Sequence, residues 1–535
     1  KARRLLPNFK WIIALGCMML AFCIPLLAMG VTEASVATYE ELVTEINNGT
    51  SIIRITDNIE LAATIDLTAD TKLVGDGENI TLSGNDTFTL ISSGVYDITV
   101  ENLTLTGGKA AASTGGAINA GSGDVAVTNS ILTGNSADIV GGAIFADSGN
   151  IVLTGSELSD NTAVIVGGAL HANAGNLTIT DSRILRNSTT ASDSSGGAIF
   201  YGAPAGKTLT VENSTFDGNV TAGMGGAVYS GAAAVNVTGG SVFAHNSAGY
   251  RGGALYSDSG AVVMDGVTLT ANTSGEGGAV FTNTGTLAAQ NTKVAVSTYA
   301  DLVTELANKA DVIHIAQSIQ LDGTLNLSAN TKLVGDGENI ALSGDGTFLL
   351  IWAENYDITV ENLTLTGGNA AGPLPGGAIC SIAGKVTVTD SVLTGNASAG
   401  VGGAIFSDSN VVMITRSEVT GNTAAAGGGA IEMNTGNLII TDSTVSGNHA
   451  TVAGANGGAV FHNGGAECVI TVENSTFSGN SAPGFGGAIH SPNASINITG
   501  GSVFSDNTAT AGPGGAICTF TGNVTVTEST MSGNT

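Results

Sequence analysis

Short runs of alternating apolar and polar residues recur along most of the chain, as at Val125-Ala126-Val127 and Leu177-Thr178-Ile179. A period of two predicts short β-strands that turn their apolar side chains to one face. Each run is preceded by Gly-Gly-Ala-aliphatic and followed by Ser-x-aliphatic-x-x-Asn. The tetrapeptide begins at Gly115, Gly141, Gly167, Gly196, Gly225, Gly252 and Gly277, then again at Gly376, Gly402, Gly428, Gly457, Gly486 and Gly514. The asparagines fall at one phase of the repeat: Asn135, Asn161, Asn187, Asn219, Asn246 and Asn272, then Asn396, Asn422, Asn448, Asn480, Asn507 and Asn534. A repeat of 25 to 29 residues with two or three strands and almost no helical pattern predicts one coil of a parallel β-helix. Right-handedness is the expected sense, because parallel crossovers overwhelmingly take that hand.

In such a solenoid, residues of equal phase stack about 4.8 Å apart into rows. Rows account for the repeat chemistry. Stacked asparagines can bond to one another and to turn backbone, forming a structural Asn ladder through the twelve positions above. The glycine pair suits a turn that a β-carbon resists, and Ile118, Ile144, Leu170, Ile199, Val228 and Leu255 form an aliphatic core row.

The irregular spacings 26, 26, 29, 29 occur twice, offset by about 261 residues. Thr71 to Ile80 and Thr331 to Ile340 both read TKLVGDGENI, so the array was copied as a unit. Two segments break the strand pattern. Thr38 to Glu41 leads into Leu42, Val43 and Ile46, and Thr298 to Asp301 leads into Leu302, Val303 and Leu306. Each predicts a capping-box helix laid across the open end of a solenoid, where it would cover core and strand edges. The predicted fold is therefore all-β: a right-handed parallel β-helix of two tandem duplicated units, 35–293 and 294–535, each with a short N-terminal capping helix.

Residues 1–34 stand apart. Lys1, Arg3, Arg4 and Lys10 precede an apolar run from Trp11 to Met29, with small residues at Gly30, Ala34 and Ser35, the three regions of a secretory signal peptide. The expected location is outside the cell or on a bacterial cell surface, with the outer membrane as one anchorage. The chain starts at Lys1 and stops at Thr535 inside a repeat, which reads as a sequence cut at both ends, with the second unit truncated.

Composition narrows the partners. Of 535 residues 78 are Gly and 11% are charged, and the formal charge is −28. No basic stripe exists to release counterions, so a nucleic acid is not an expected partner, and the repeat region is not expected to insert into a membrane. Cys380, Cys468 and Cys518 lie far apart and predict no disulfide framework. No cofactor is expected. His171, His245, His462 and His490 show no metal-ligand spacing. Asp76 with Glu78, and Asp336 with Glu338, lie in GDGEN turns that offer oxygens to calcium, although Asp-Gly turn chemistry explains them without a metal.

The residue after each Gly-Gly-Ala-aliphatic points away from the core if the aliphatic residue points in. That row is rich in aromatics: Phe145, Phe200, Tyr229, Tyr256, Phe281, Phe406 and Phe461 form a candidate binding-face ladder for glycan rings or a protein. The alternative is that the rings merely stabilise the sheet. The pairing of GGA[ILV] with Phe-x-x-Asn, as at Phe216-Asn219, Phe243-Asn246, Phe477-Asn480 and Phe504-Asn507, resembles the repeats of chlamydial polymorphic outer membrane proteins. The resemblance covers about residues 100 to 535. It implies an autotransporter passenger that acts in adhesion to host cells, hence a host-cell surface protein or glycan as partner. Most repeats here carry Leu, Ile or Val in place of Phe. The expected function is a non-enzymatic surface β-helix for adhesion or display. The alternatives are a polysaccharide lyase or hydrolase of the pectate-lyase-like β-helix class, and a purely structural stalk. Basic residues do not cluster at one phase, and so much negative charge would repel a polyanionic substrate.

Overall fold

The computed structural model describes residues 31–276, 278–371 and 375–535. The expected leader falls outside them as far as residue 30. Every strand pairing described is parallel, each strand lying beside its counterpart one coil away, and two short helices are the only interruptions among the described residues. The chain is a right-handed parallel β-helix.

One coil shows how the residues dictate the path. Val125–Thr128 forms the first face, Ile131–Thr133 the second, Ser136–Ala137 a two-residue strand and Ile144–Ala146 the third. These pair in register with Ile151–Thr154, Glu157–Ser159, Thr162–Ala163 and Leu170–Ala172 of the next coil. A coil thus has four strand segments where two or three were expected; the extra one is too short to show alternation. On the first face the alternation is obeyed: Val125 and Val127 are buried, Ala126 and Thr128 are not.

The Gly-Gly-Ala corner is fixed by two different constraints. Gly141 has φ +65°, a left-handed conformation that L side chains avoid. Gly142 has ordinary φ, but a β-carbon there would lie 2.0 Å from the carbonyl oxygen of Gly168 on the next coil. Ala143 then fills the corner of the core with no exposed surface.

The asparagine row is a continuous hydrogen-bonded file. Asn135 donates its backbone N–H (2.9 Å) and its Nδ2 (3.1 Å) to Asn161 Oδ1, and Asn161 does the same to Asn187 at 3.0 Å each. Each Nδ2 also reaches back to a carbonyl of the coil before, as Asn161 does to Leu132 and Asn187 to Leu158. The file runs on through Asn219 and Asn246 to Asn272, and separately from Asn396 through Asn422, Asn448, Asn480 and Asn507 to Asn534. Buried amides are tolerated because their donors and acceptors are used along the file. Ser130, Ser156, Ser182, Ser214 and Ser241 form a second buried file, each backbone N–H donating to the next serine Oγ at 3.1–3.2 Å. At the adjoining phase Phe216 stacks on Phe243 at 4.6 Å, and Phe477 on Phe504 at 4.7 Å, all inside the core.

Helix α1 (Tyr39–Asn47) opens with a full capping box: Thr38 Oγ1 accepts from Glu41 N–H, and the Glu41 carboxylate accepts from the Ala37 and Thr38 N–H groups. Those bonds hold the Glu41 carboxyl below its usual range. Helix α2 (Tyr299–Ala307) has the Thr298 cap but not the reciprocal half that the sequence predicts. Aspartate is a methylene shorter than glutamate, and Asp301 instead meets His245 Nε2 at 3.4 Å.

Where the two arrays meet, Lys293–Val296 pairs backward with Thr268–Thr270, on the second face of the first array, and forward with Val312–Ile315. The strand that precedes Ile52–Ile55 in the same way, Glu33–Val36, belongs to the first face. The second-face sheet of the first array therefore continues as the first-face sheet of the second, and the second array is turned by one face about the shared axis. Buried Glu305 closes the joint: its carboxyl faces the Ala271 and Asn272 N–H groups, and Asn308 Nδ2 donates to both Glu305 Oε2 and the Asn272 carbonyl. Burial pushes the Glu305 carboxyl up.

Replacing one ladder amide tests these rows. Asn187→Ala strands the donors of Asn161 and removes the bond to Leu158, so denaturant unfolding should show a loss of about 2–4 kcal/mol. Substitution of the half-buried, outward-facing Thr178 in the same coil should change stability by less than about 0.5 kcal/mol.

Candidate functional site

The residues that follow Gly-Gly-Ala-aliphatic form one row on the third face, outside the core, as their alternation requires. In the first array the rings of Phe145, His171, Phe200, Tyr229, Tyr256 and Phe281 make an unbroken series of contacts. Phe200, Tyr229, Tyr256 and Phe281 stack nearly parallel, with centroids 4.6, 5.2 and 5.7 Å apart. Phe145 and His171 meet edge to face. Stacking along the axis leaves ring edges, not ring faces, toward solvent. The flat apolar platform expected from the sequence is therefore largely consumed within the row.

A second row shields it. The residues just before each Gly-Gly, namely Val140, Val166, Ser195, Met224 and Arg251, bridge to one another from coil to coil alongside the rings. The Arg251 guanidinium carbon lies 4.6 Å from the centroids of both Tyr250 and Phe281. Tyr256 is consequently only 4% exposed, and its hydroxyl points to Asp258 at 3.4 Å. Phe145, Phe200, Tyr229 and Phe281 keep partial exposure. His171 donates to or accepts from Asn173 through Nε2 at 2.7 Å, and burial lowers its pKa to about 4, so the imidazole is neutral at physiological pH.

In the second array the expected ladder is broken. Phe406 is 7% exposed and packs with Leu349, Ala370 and Cys380 in a small cluster outside the main core. Phe461 stacks on His490 at 5.4 Å. Between them stands Glu432, in register with both, 6% exposed, with Oε2 lacking any hydrogen-bond partner. Burial pushes its carboxyl up to about 8. The identity of Glu432 was visible in the row; its burial depends on a covering loop row that has no sequence period.

The acidic turns behave differently from one another. Asp336 accepts from Lys293 Nζ at 2.7 Å and from His314 Nδ1 at 2.6 Å, which engages it in the joint between arrays. Among the described residues no group of three His, Cys, Asp or Glu is placed to hold a metal ion. Two grooves of about 280 and 260 Å³ occupy equivalent positions beside Glu78 and Asn79 and beside Glu338 and Asn339. A cavity of about 740 Å³ lies at the last coil among Ile517, Val524, Val526 and Met531, and Cys518 is the only titratable side chain in its lining. Among the described residues, Cys380, Cys468 and Cys518 are free and buried. No described helix is long and apolar enough to cross a membrane.

The buried Glu432 makes stability depend on pH. Its folded pKa lies above the unfolded value of 4.5, so its contribution is intact below that value and is lost as pH rises to about 8, at about 1.4 kcal/mol per unit. Glu432→Gln should remove this slope. Denaturation from pH 5 to 9 should show the variant gaining on the parent chain by roughly 2–4 kcal/mol, after discount for relaxation.

Comparison with known proteins agrees with this architecture. Residues 73–248 match the family described as right handed beta helix region, and residues 474–492 and 501–519 match the Chlamydia polymorphic membrane protein repeat. No curated protein matches the chain. Among solved structures, a mutant of the PL6 family alginate lyase AlyGC is similar over 94% of this chain and 100% of its own, at 11% identity and a TM-score of 0.28. Tailspike protein 3 of bacteriophage CBA120 is similar over 92% of this chain and 61% of its own, at 9% identity and a TM-score of 0.16. Similarity at those scores carries no functional weight. The chain is a right-handed parallel β-helix protein with repeats similar to those of the Chlamydia polymorphic membrane proteins.

Proposed function

We propose that this chain is a surface-exposed, non-enzymatic β-helix, exported by residues 1–34, that projects a rod from a bacterial surface for adhesion to host cells. The repeats similar to those of polymorphic membrane proteins support the bacterial surface setting. The observation that carries the adhesive reading is the third face of the first array, where Phe145, Phe200, Tyr229 and Phe281 lie in one partly exposed row and the loops of the first coils expose Ile139, Val164 and Ile165. Its regular rungs suit a long contact with a partner that runs along the axis. Because the rings offer edges and the loop row offers aliphatic side chains, a host-surface protein fits the seam better than a glycan that needs a free ring face.

Adherence separates this reading from a passive stalk. The purified chain should bind cultured host cells, and Phe200→Ala with Tyr229→Ala should lower retention at least tenfold while the β-sheet circular dichroism stays unchanged. Retention by neither cells nor a glycan array, or full retention by the double variant, would contradict the seam as the adhesive face. Release of reducing ends or unsaturated products from alginate or pectin would replace the reading with an enzyme.

A further inference from the structure

The two arrays are joined by less than holds the coils of either one together. The third-face sheet of the first array ends at Val280–Thr282 and its first-face sheet at Leu287–Gln290, while Ile319–Gln320 and Leu325–Asn326 begin new sheets in the second. Among the described residues only the sheet through Lys293–Val296 crosses the joint. The buried apolar core divides there as well, one part ending at Leu269 and the other starting at Val296. A single sheet between two separate cores is a line about which the arrays can bend, and the contacts of α2 with the coil of Asn272 oppose that bending.

Those contacts carry titratable groups. His245 of the first array places Nδ1 2.9 Å from Asp217 of its own array and Nε2 3.4 Å from Asp301 of α2. It ends a row of charged residues, Asp160, Arg186, Asp217 and His245, in which Arg186 donates to Asp160 at 2.7 Å. In the second array the same row reads Gly421, Gly447, Ser478 and Asp506, so the alternating charges belong to the array that meets a cap helix. One turn beyond Asp301, Glu305 is 2% exposed; it accepts from Asn308 Nδ2 at 3.2 Å and faces the Ala271 and Asn272 N–H groups. Its counterpart in α1, Glu45, is only half-buried, and Thr44 and Asn48 are exposed where Thr304 and Asn308 are partly covered. Burial of Glu305 is therefore a product of the joint, and opening the joint undoes it. Asp301 is the charged group that faces Glu305. The cation on the crossing strand, Lys293, is taken up by Asp336 at 2.7 Å, which also meets His314 at 2.6 Å.

Burial raises the Glu305 carboxyl above its ordinary 4.5, against the lowering effect of the Asn308 bond. Burial lowers the His245 pKa, but Asp217 and Asp301 outweigh it and hold the imidazole above its ordinary 6.5. Both contributions are complete in acid and fade in the same direction, that of Glu305 as pH rises from 4.5 and that of His245 as it rises from 6.5. We infer that the joint is a pH-gated hinge, in which α2 locks the second array onto the first under mildly acid conditions and lets it swing about the Lys293–Val296 sheet as the medium turns alkaline. In acid, Glu305 sits in the joint as a neutral group and Asp301 is matched by an imidazolium. In alkali, Asp301 loses that counter-charge and Glu305 becomes a buried carboxylate beside it, a state relieved when α2 lifts and water reaches Glu305.

Nitroxide labels on the full chain, attached through Thr178→Cys and Thr387→Cys, report the joint by the width of their distance distribution, the native cysteines being buried. The distribution should be narrow at pH 5 and roughly double in width by pH 9, while a pair within the first array, at Thr178→Cys and Asn236→Cys, stays narrow at both. Glu305→Gln is neutral at every pH and keeps the amide contacts, so its distribution should stay narrow across the range. His245→Lys keeps a cation beside Asp301 and should need a higher pH to reach the same width, which preserves the test if the first variant packs poorly. An unchanged width from pH 5 to 9, equal broadening of the pair within the first array, or pH-dependent broadening as large in Glu305→Gln as in the parent chain would each overturn the hinge.

Discussion

Everything in this molecule depends on axial registry: a residue can be polar, buried and stable provided that its counterpart one coil away is the same residue in the same pose. Asn161 is tolerated in a bend with no exposed surface because Asn135 and Asn187 supply its partners from either side. The serine file obeys the same rule, as do the stacked Phe216 and Phe243 inside the core. Registry also explains the glycines. The second glycine of the pair, as at Gly142, Gly168 and Gly403, is held by close approach to the neighbouring coil, so a substitution there would disturb two coils at once.

The same rule, applied outside the core, gives the seam its character. Ring stacking along the axis converts an outward row into a second, smaller apolar layer under the loop row, and the result is a ridge of edges in place of a platform. Where a rung departs from its neighbours, the departure is exposed to energetic scrutiny, since no identical residue lies above or below to share its bonds. Glu432 is such a departure, and Glu305 another. Glu305 ends the asparagine file at Asn272, where the second array begins on a turned face.

Phase was legible in the sequence because stacking forces like residues to recur, and that was enough for the coil, its hand, the core row and the asparagine file. The serine file stands in the same motif but was not legible, since a hydroxyl in a turn has many local explanations. Coverage of the aromatic row was not legible. It depends on loops whose length and composition vary from Val140 to Met224 to Gly427, and no period marks them. The turned joint was hidden for another reason: Lys293–Val296 continues the second-face sheet of the first array into the first-face sheet of the second, and a single strand's sequence does not reveal which face it extends. The missing half of the second capping box comes down to one methylene, the difference between Glu41 and Asp301.

Distances between spin labels test the registry most directly. Ala126, Asn236, Val263 and Ala288 occupy one phase of the first face through successive pairings. Labels at Ala126 and each of the other three should report separations of about 19, 24 and 29 Å, an increment of about 4.8 Å per coil. Separations that fail to grow in step with coil number would contradict the stacking on which the whole account stands.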